Sequence, residues 1–340
     1  MKDIRFALLG AGFMGKFHGH TLASTIGAHL SVVVDVNQEA AREVAAWSAG
    51  CEVTDDVTKA LAMDIDAVVI VTPAETHTTL IEQAARAGKA VFCEKPLATT
   101  MADAERIRTV LAETGVSFQI GFQRRFEPGV ARLLTLVENG ELGGIEVVRS
   151  VTCDPMGPDF EGMKRAAGIF HDTLSHDMDM AIAFGGPIAE VHTRGAANID
   201  PRFAELGKPD TTLMSLQFES GAIGVIENRL QTTFGYETVL EVSGSAGKGV
   251  VRNDDLDDLT LLREKRTERA YIPWFLERYE HAYRLEIAAF VDALHAGEQP
   301  RLGSEQGIAV LQACLAAERS YREGRPVALR DIHRRDGHSL

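Results

Sequence analysis

Ile4-Arg5-Phe6-Ala7-Leu8-Leu9-Gly10-Ala11-Gly12-Phe13-Met14-Gly15 is a short apolar run that ends in three glycines at the spacing G-x-G-x-x-G, and a helical pattern starts near Lys16. A strand, a glycine turn and a helix in that order form the phosphate-binding start of a β-α-β unit. Gly10 permits the tight turn, Gly12 lets the backbone approach a pyrophosphate, and Gly15 lets the helix close on the strand. The helix N-terminus then faces the phosphate charge. Asp35 follows Gly15 by twenty residues, at the end of Val32-Val33-Val34. A carboxylate there accepts hydrogen bonds from the adenosine ribose and repels a 2′-phosphate, so the expected cofactor is NAD rather than NADP. Neither Val36 nor Asn37 supplies a cation for NADP, and Arg42 is the nearest one that does.

Outward from this stretch, β-branched runs alternate with helical patterns as far as about Phe122, which predicts a parallel sheet. The expected strands are Ile4 to Leu9, Leu30 to Val36, Ala67 to Val71, Ala90 to Cys93 and Ser117 to Phe122. Glu75 to Ala87 and Met101 to Thr114 read as helices stopped by Gly88 and Gly115. Past Arg125 the texture changes to longer strands: Ile145 to Val151, Ile188 to Gly195, Thr211 to Phe218, Ala222 to Leu230, Glu237 to Val242 and Leu259 to Leu262. Helical stretches interrupt them at Pro128 to Asn139, near Thr173 to Phe184, at Phe275 to Ala296 and at Ser304 to Glu323. The expectation is an α/β protein with a Rossmann domain over residues 1–125 and an α+β domain over 126–340, built on a large, mostly antiparallel open sheet. An uncovered face or edge of such a sheet needs a partner, which favours a homo-oligomer. Asn253 to Asp258 lacks EF-hand spacing and reads as a solvated turn, and the polar tail from Arg330 to Leu340 as loosely ordered.

The net charge of -14 disfavours nucleic acid and anionic membrane surfaces as partners and suits a neutral small molecule. Cys51, Cys93, Cys153 and Cys314 lie too far apart for a disulfide framework or a zinc site. The start of the chain lacks signal-peptide features and no apolar run is long enough to cross a membrane, so the expected compartment is the cytoplasm.

Two further segments carry chemistry. Cys93-Glu94-Lys95-Pro96 follows a sheet strand directly, which puts Glu94 and Lys95 at the carboxyl end of the sheet, where ligands bind in such folds. In the segment from Gly168 to Asp179, Asp172, His176 and Asp179 recur on one helical face. With Gly10 to Gly15, Val71-Thr72-Pro73 and His77, Glu94-Lys95-Pro96, Gly121 to Phe126 and Asp172-x-x-x-His176-Asp177 in this order, the chain resembles the Gfo/Idh/MocA family of oxidoreductases over almost its whole length. Within it the chain is most similar to the inositol 2-dehydrogenases, through Phe92 to Thr100 and the segment from Phe275 to Arg284.

The resemblance implies an open sheet used for oligomerisation, as a tetramer or dimer, and a cis peptide before Pro96. It also implies NAD-dependent oxidation of a secondary hydroxyl of a cyclic polyol, myo-inositol or a stereoisomer. Phe13, Met14, Thr72, Pro73, His77 and Glu94 would join the glycines and Asp35 around the cofactor. Lys95, Asp172 and His176 would form the catalytic set, with Arg125, Asp154, Tyr236, Tyr279 and Tyr283 at the substrate. Asp154-Pro155 departs from the Asn-Pro expected of an inositol dehydrogenase, and a carboxylate there changes which hydroxyls are bound.

The chemistry wants these residue types. Hydride loss from a carbinol carbon accompanies removal of the hydroxyl proton, and a histidine oriented by a carboxylate is a base suited to neutral pH. A lysine can hydrogen-bond the substrate oxygen and stabilise the charge developing on it. Asp179 reads as the partner of a neighbouring cation, His171 stays undecided, and no metal is expected. A pyranose dehydrogenase, a reductase running the other way, and a non-catalytic NAD-binding regulator are the alternatives.

Overall fold

In a computed structural model the described residues are 2–166, 168–252 and 255–332. The first half alternates strand and helix: β1 (Ile4–Leu9), α1 (Phe13–Ser24), β2 (Ala28–Val34), α2 (Gln38–Ala45), β3 (Glu52–Thr54), α3 (Val57–Leu61), β4 (Ala67–Ile70), α4 (His77–Arg86), β5 (Ala90–Glu94), α5 (Met101–Thr114) and β6 (Phe118–Gly121). The six strands form one parallel sheet in the order β3-β2-β1-β4-β5-β6. The chain leaves β1 first to one side and then to the other, so the crevice of the sheet opens between the carboxyl ends of β1 and β4. Leu9 pairs there with Ile70, and the loops that start at Gly10 and Val71 sit side by side. β3 and α3, three and five residues long, are too short to show periodicity, and the sequence reading has neither.

The rest of the chain comprises α6 (Pro128–Glu138), β7 (Ile145–Cys153), α7 (Phe160–Arg165), α8 (Thr173–Gly185), β8 (Ile188–Ala196), β9 (Thr211–Phe218), β10 (Ile223–Arg229), β11 (Glu237–Gly244), β12 (Gly247–Arg252), β13 (Asp255–Arg263), β14 (Arg266–Tyr271), α9 (Phe275–Ala296), α10 (Ser304–Glu323) and β15 (Val327–Ala328). Seven strands make a sheet in the order β12-β11-β7-β10-β9-β8-β15. It is antiparallel apart from the β7–β10 pair, as expected of a mostly antiparallel sheet. Along β9, Thr212, Met214, Leu216 and Phe218 are buried while Leu213 faces out, the alternation of a sheet covered on one side.

Two expectations are corrected here. Leu259 to Leu262 does not join the large sheet but pairs with β14 in a separate two-stranded hairpin, Leu261 opposite Glu268. The short connection makes that local pairing the cheaper one to close. Asp255 to Asp258 belongs to β13 rather than to a turn; Asn253 and Asp254 lie outside the described residues, as does most of the polar tail.

Contacts divide the chain into two units otherwise than by a single cut at residue 125. One holds Met1–Gln123 and Ala282–Leu311, the other Arg124–His281 and Gln312–His333. Ile287, Phe290 and Val291 of α9 complete the core of the first unit against Phe6, Leu8, Val69 and Phe92. Burying each such side chain contributes about 1.5–3 kcal/mol, which explains why a helix distant in sequence joins the parallel sheet. Among the described residues no helix is long and apolar enough to cross a membrane.

Candidate active site

In the first unit the glycine loop is closed by sterics and by one carboxylate. Gly10 has a φ of +103°, and a Cβ on it would stand 2.8 Å from Val71 O; a Cβ on Gly15 would stand 2.2 Å from Gly10 O. Neither position admits a side chain. Gly12 has nothing within 4 Å of its Cβ position, so the backbone there opens onto solvent. No side chain caps α1 at Gly12 and no acidic residue lies in its first turn, so its N–H groups suit an anion. Asp35 stands just past β2; its Oδ2 accepts from Ala11 N at 2.6 Å and its Oδ1 from Asn37 N at 2.7 Å. The carboxylate that would read a ribose is thereby fixed to the loop that would hold the pyrophosphate. These residues fit a dinucleotide: a loop that side chains would fill, an uncapped helix start, and a carboxylate oriented at the end of the second strand. Phe13 is exposed and Met14 half-buried beside them.

The loop after β4 carries Thr72 and Pro73, with Thr72 Oγ1 2.6 Å from Thr76 Oγ1 and Thr76 Oγ1 donating to Pro73 O. His77, expected at the cofactor, is 1% exposed. Its Nδ1 lies 2.8 Å from Pro96 O and its Nε2 3.0 Å from Thr72 O. Both oxygens only accept, and a neutral ring donates to one of them. Burial pushes the His77 ring below the usual histidine range, against the pull of the two carbonyls and of Glu94 and Glu75.

Glu94 ends β5, and the Lys95–Pro96 peptide is cis. Glu94 Oε2 accepts from Lys95 N at 3.1 Å, and Glu94 Oε1 lies 2.7 Å from Nε2 of His18, a fully buried residue of α1. His18 was not among the expected site residues. Its signal in the sequence is its place three residues after Gly15, one helical turn into α1 and on the face turned to the sheet. Tyr283 is buried in this unit too, 5.7 Å from the His18 ring and 4.8 Å from that of Phe17.

In the second unit Asp172 is exposed at the start of α8 and His176 follows one turn on, half-buried. Ser175 Oγ donates to Asp172 O, and the Asp172 side chain does not cap the helix. Asp177 is completely buried and accepts from Ser150 and Thr152 hydroxyls, Asn228 Nδ2 and Arg124 Nη1. Four donors on one carboxylate make it the anchor that joins α8 to β7 and β10. Arg125 grips Asp179 with both arms, Nε on Oδ2 at 2.7 Å and Nη2 on Oδ1 at 2.8 Å, which gives Asp179 the cation partner expected of it. Burial opposes the Arg125 charge and Asp179 more than restores it. His171 pairs with Glu318, whose carboxyl His171 and Arg322 pull down against the effect of burial.

Asp154 follows β7 half-buried, its N–H donating to Arg229 O, and its charge reaches Arg124 and Tyr236. Tyr236 and Tyr279 are both 4% exposed. Burial pushes the Tyr236 phenol far up, so it acts as a neutral hydroxyl. Tyr279 OH donates to Thr238 Oγ1 while Arg124 and Arg278 stand 5.5 and 5.1 Å over its ring. A cavity of about 20 Å³ beside these groups has room for one water and none for a cyclic polyol. Cys93 and Cys153 are buried thiols whose ionisation burial suppresses, and among the described residues no cluster of His, Cys, Asp and Glu is arranged to hold a metal.

Residues 4–122 match the pattern of the Gfo/Idh/MocA oxidoreductase family, NAD-binding Rossmann fold, and residues 130–250 match the Gfo/Idh/MocA C-terminal domain. The chain is also 37% identical to an inositol 2-dehydrogenase of Rhizobium meliloti, over 96% of this chain and 99% of the relative. The chain belongs to the Gfo/Idh/MocA family. Two solved structures share its fold and carry ligands. One is scyllo-inositol dehydrogenase from Lactobacillus casei with NAD(H) and scyllo-inositol, TM-score 0.89 at 27% identity, covering 97% of this chain and 100% of that one. The other is myo-inositol dehydrogenase from Lactobacillus casei with NAD(H) and myo-inositol, TM-score 0.87 at 26% identity, covering 96% of each chain. Residues 4–122 are the family's NAD-binding Rossmann domain, and the closed glycine loop and Asp35 are the residues in it that fit the dinucleotide.

Proposed function

We propose that this protein is an NAD-dependent inositol 2-dehydrogenase that converts a ring CH–OH of myo-inositol or a stereoisomer to the ketone. The observation that carries the reading is the Asp35 carboxylate bonded to the glycine loop, in a chain that is similar over 96% of its length to an inositol 2-dehydrogenase. Per turnover the carbinol carbon loses a hydride, its oxygen loses a proton, and a C=O forms. Bound NAD+ supplies the redox chemistry by accepting that hydride. His176 removes the hydroxyl proton, Asp172 orients the ring and stabilises the imidazolium, and Lys95 hydrogen-bonds the reacting oxygen. Arg125 acts through Asp179 rather than on substrate, and Asp154 selects among hydroxyl arrangements.

The protein works in the cytoplasm as a homo-oligomer, a tetramer or dimer. Supporting self-association, Val147, Leu213, Ile223 and Val250 are exposed together, and strand register puts them on one face of the seven-stranded sheet. The deciding experiment is NADH formation with myo-inositol, scyllo-inositol, glucose, xylose and galactose, repeated with NADP. Turnover of an inositol with NAD is the expected result; turnover of a pyranose alone would discard the substrate.

A further inference from the structure

We propose that His18 and His77 are positioning residues that clamp the Lys95 strap, residues 94–96, from both ends to the two cofactor loops. The inference rests on the role proposed for Lys95. At the front of the strap, His18 Nε2 holds Glu94 Oε1 at 2.7 Å while the other oxygen of the same carboxylate takes Lys95 N at 3.1 Å. At the back, His77, in the tautomer that carries its proton on Nδ1, donates to Pro96 O at 2.8 Å. Each histidine is itself tied to a loop at the cofactor crevice. His18 lies on the helix that opens at Gly12, and His77 starts the helix that follows the Thr72 loop.

Two features set this arrangement apart from ordinary packing. His18 is 0% exposed in an aromatic surrounding, with the Phe92 and Tyr283 rings at 5.6 and 5.7 Å. A leucine would fill such a place without desolvating a polar ring, so the hydrogen bond to Glu94 is what the histidine adds. The second feature is the room made for Glu94: a Cβ on Gly121, in the neighbouring strand, would stand 3.3 Å from Glu94 Cδ, so glycine there lets the carboxylate fold back onto Lys95 N. The Lys95 backbone is thereby set by side chains on the two helices that follow the glycine loop and the Thr72 loop. A small displacement of the strap moves the lysine relative to the bound dinucleotide without removing any contact that binds it.

The test compares His18→Leu with His18→Gln, whose amide N–H reaches the place of Nε2, and with Lys95→Ala as reference. In the cofactor-free chain, hydrogen exchange of the Lys95 amide should quicken by about tenfold or more in His18→Leu and stay near the parent rate in His18→Gln. With NAD and myo-inositol, kcat should fall by about 10- to 100-fold in His18→Leu, with Gln restoring most of it. NADH affinity should stay within about threefold in both, since the clamp positions rather than binds. Should His18→Leu not fold, His18→Asn, whose amide is too short to reach Glu94, takes its place. Unchanged amide exchange, or equal kcat with and without the Glu94 bond, overturns the clamp. If Lys95→Ala itself turns over like the parent, the role of the lysine falls and the clamp falls with it, whereas an inactive Lys95→Ala beside an unimpaired His18→Leu removes the clamp alone.

Discussion

Lys95 is held at the backbone by Glu94 and leaves the end of β5 as the cation of the proposed catalytic set. Its removal in Lys95→Ala should lower kcat by about 100- to 1,000-fold, as for a group that stabilises charge on the reacting oxygen, while NADH binding persists. Asp35 makes a second prediction at the same scale. Asp35→Ala removes the repulsion of a 2′-phosphate and should shift the NAD over NADP preference in kcat/KM by about tenfold toward NADP. An unaltered preference would mean that the ribose is read elsewhere. His77 gives a pH dependence whose sign follows from its burial. Its folded pKa is lowered from 6.5, so between the two values the unfolded chain binds more protons. The contribution of the neutral ring is fully present above about pH 6.5 and is lost as pH falls through the folded value. Thermal melts from pH 7.5 to 5 should therefore fall less steeply for His77→Asn than for the parent; parallel curves would put the acid sensitivity elsewhere.

Helix α1 can reach the first strand because Gly15 presents no side chain, and helix α8 is fixed by carboxylates rather than by apolar contacts alone. Gly15→Ala forces its Cβ against backbone at Gly10, which cannot rotate away, so α1 must shift off the loop. The expected cost is about 1–3 kcal/mol of stability together with weakened NADH binding, read by denaturant titration and fluorescence. Along α8, Asp179→Leu leaves the Arg125 fork charged and 12% exposed with its carboxylate gone, and should destabilise the chain by about 3–5 kcal/mol in denaturant unfolding. Element positions were the part of the fold most open to reading: β1, β9, α5 and the long helices stand within a residue or two of where periodicity puts them. The β13–β14 hairpin was not, because an apolar run fixes a strand but not its neighbour.

For the molecule as a whole, the uncovered face of the seven-stranded sheet sets the expectation. Leu213 and Ile223 are each 53% exposed there, and replacing both by Glu should convert a homo-oligomer to a smaller species in light scattering. A mass that does not change would locate the contact on another surface. The division into units shows why whole-chain organisation resists reading from sequence. A change of texture past Arg125 cuts the chain once, whereas α9 contributes its first residues to one unit and, from Ala282 on, Phe290 and its neighbours to the core of the other.

By itself the sequence determined the parallel sheet with its glycine loop, NAD as the cofactor, the pairing of Asp179 with a cation and the family resemblance. Each of these depends on residue types at short fixed spacings, or on patterns that repeat along one element. Only the tertiary structure decided that His18 holds Glu94, that Asp177 is an anchor with four donors, and that His171 belongs to Glu318. Those partners are 76 residues apart for His18, 25 to 53 for the four donors of Asp177 and 147 for His171, and hydrogen bonds over such distances follow from how strands and helices pack, which no local pattern encodes.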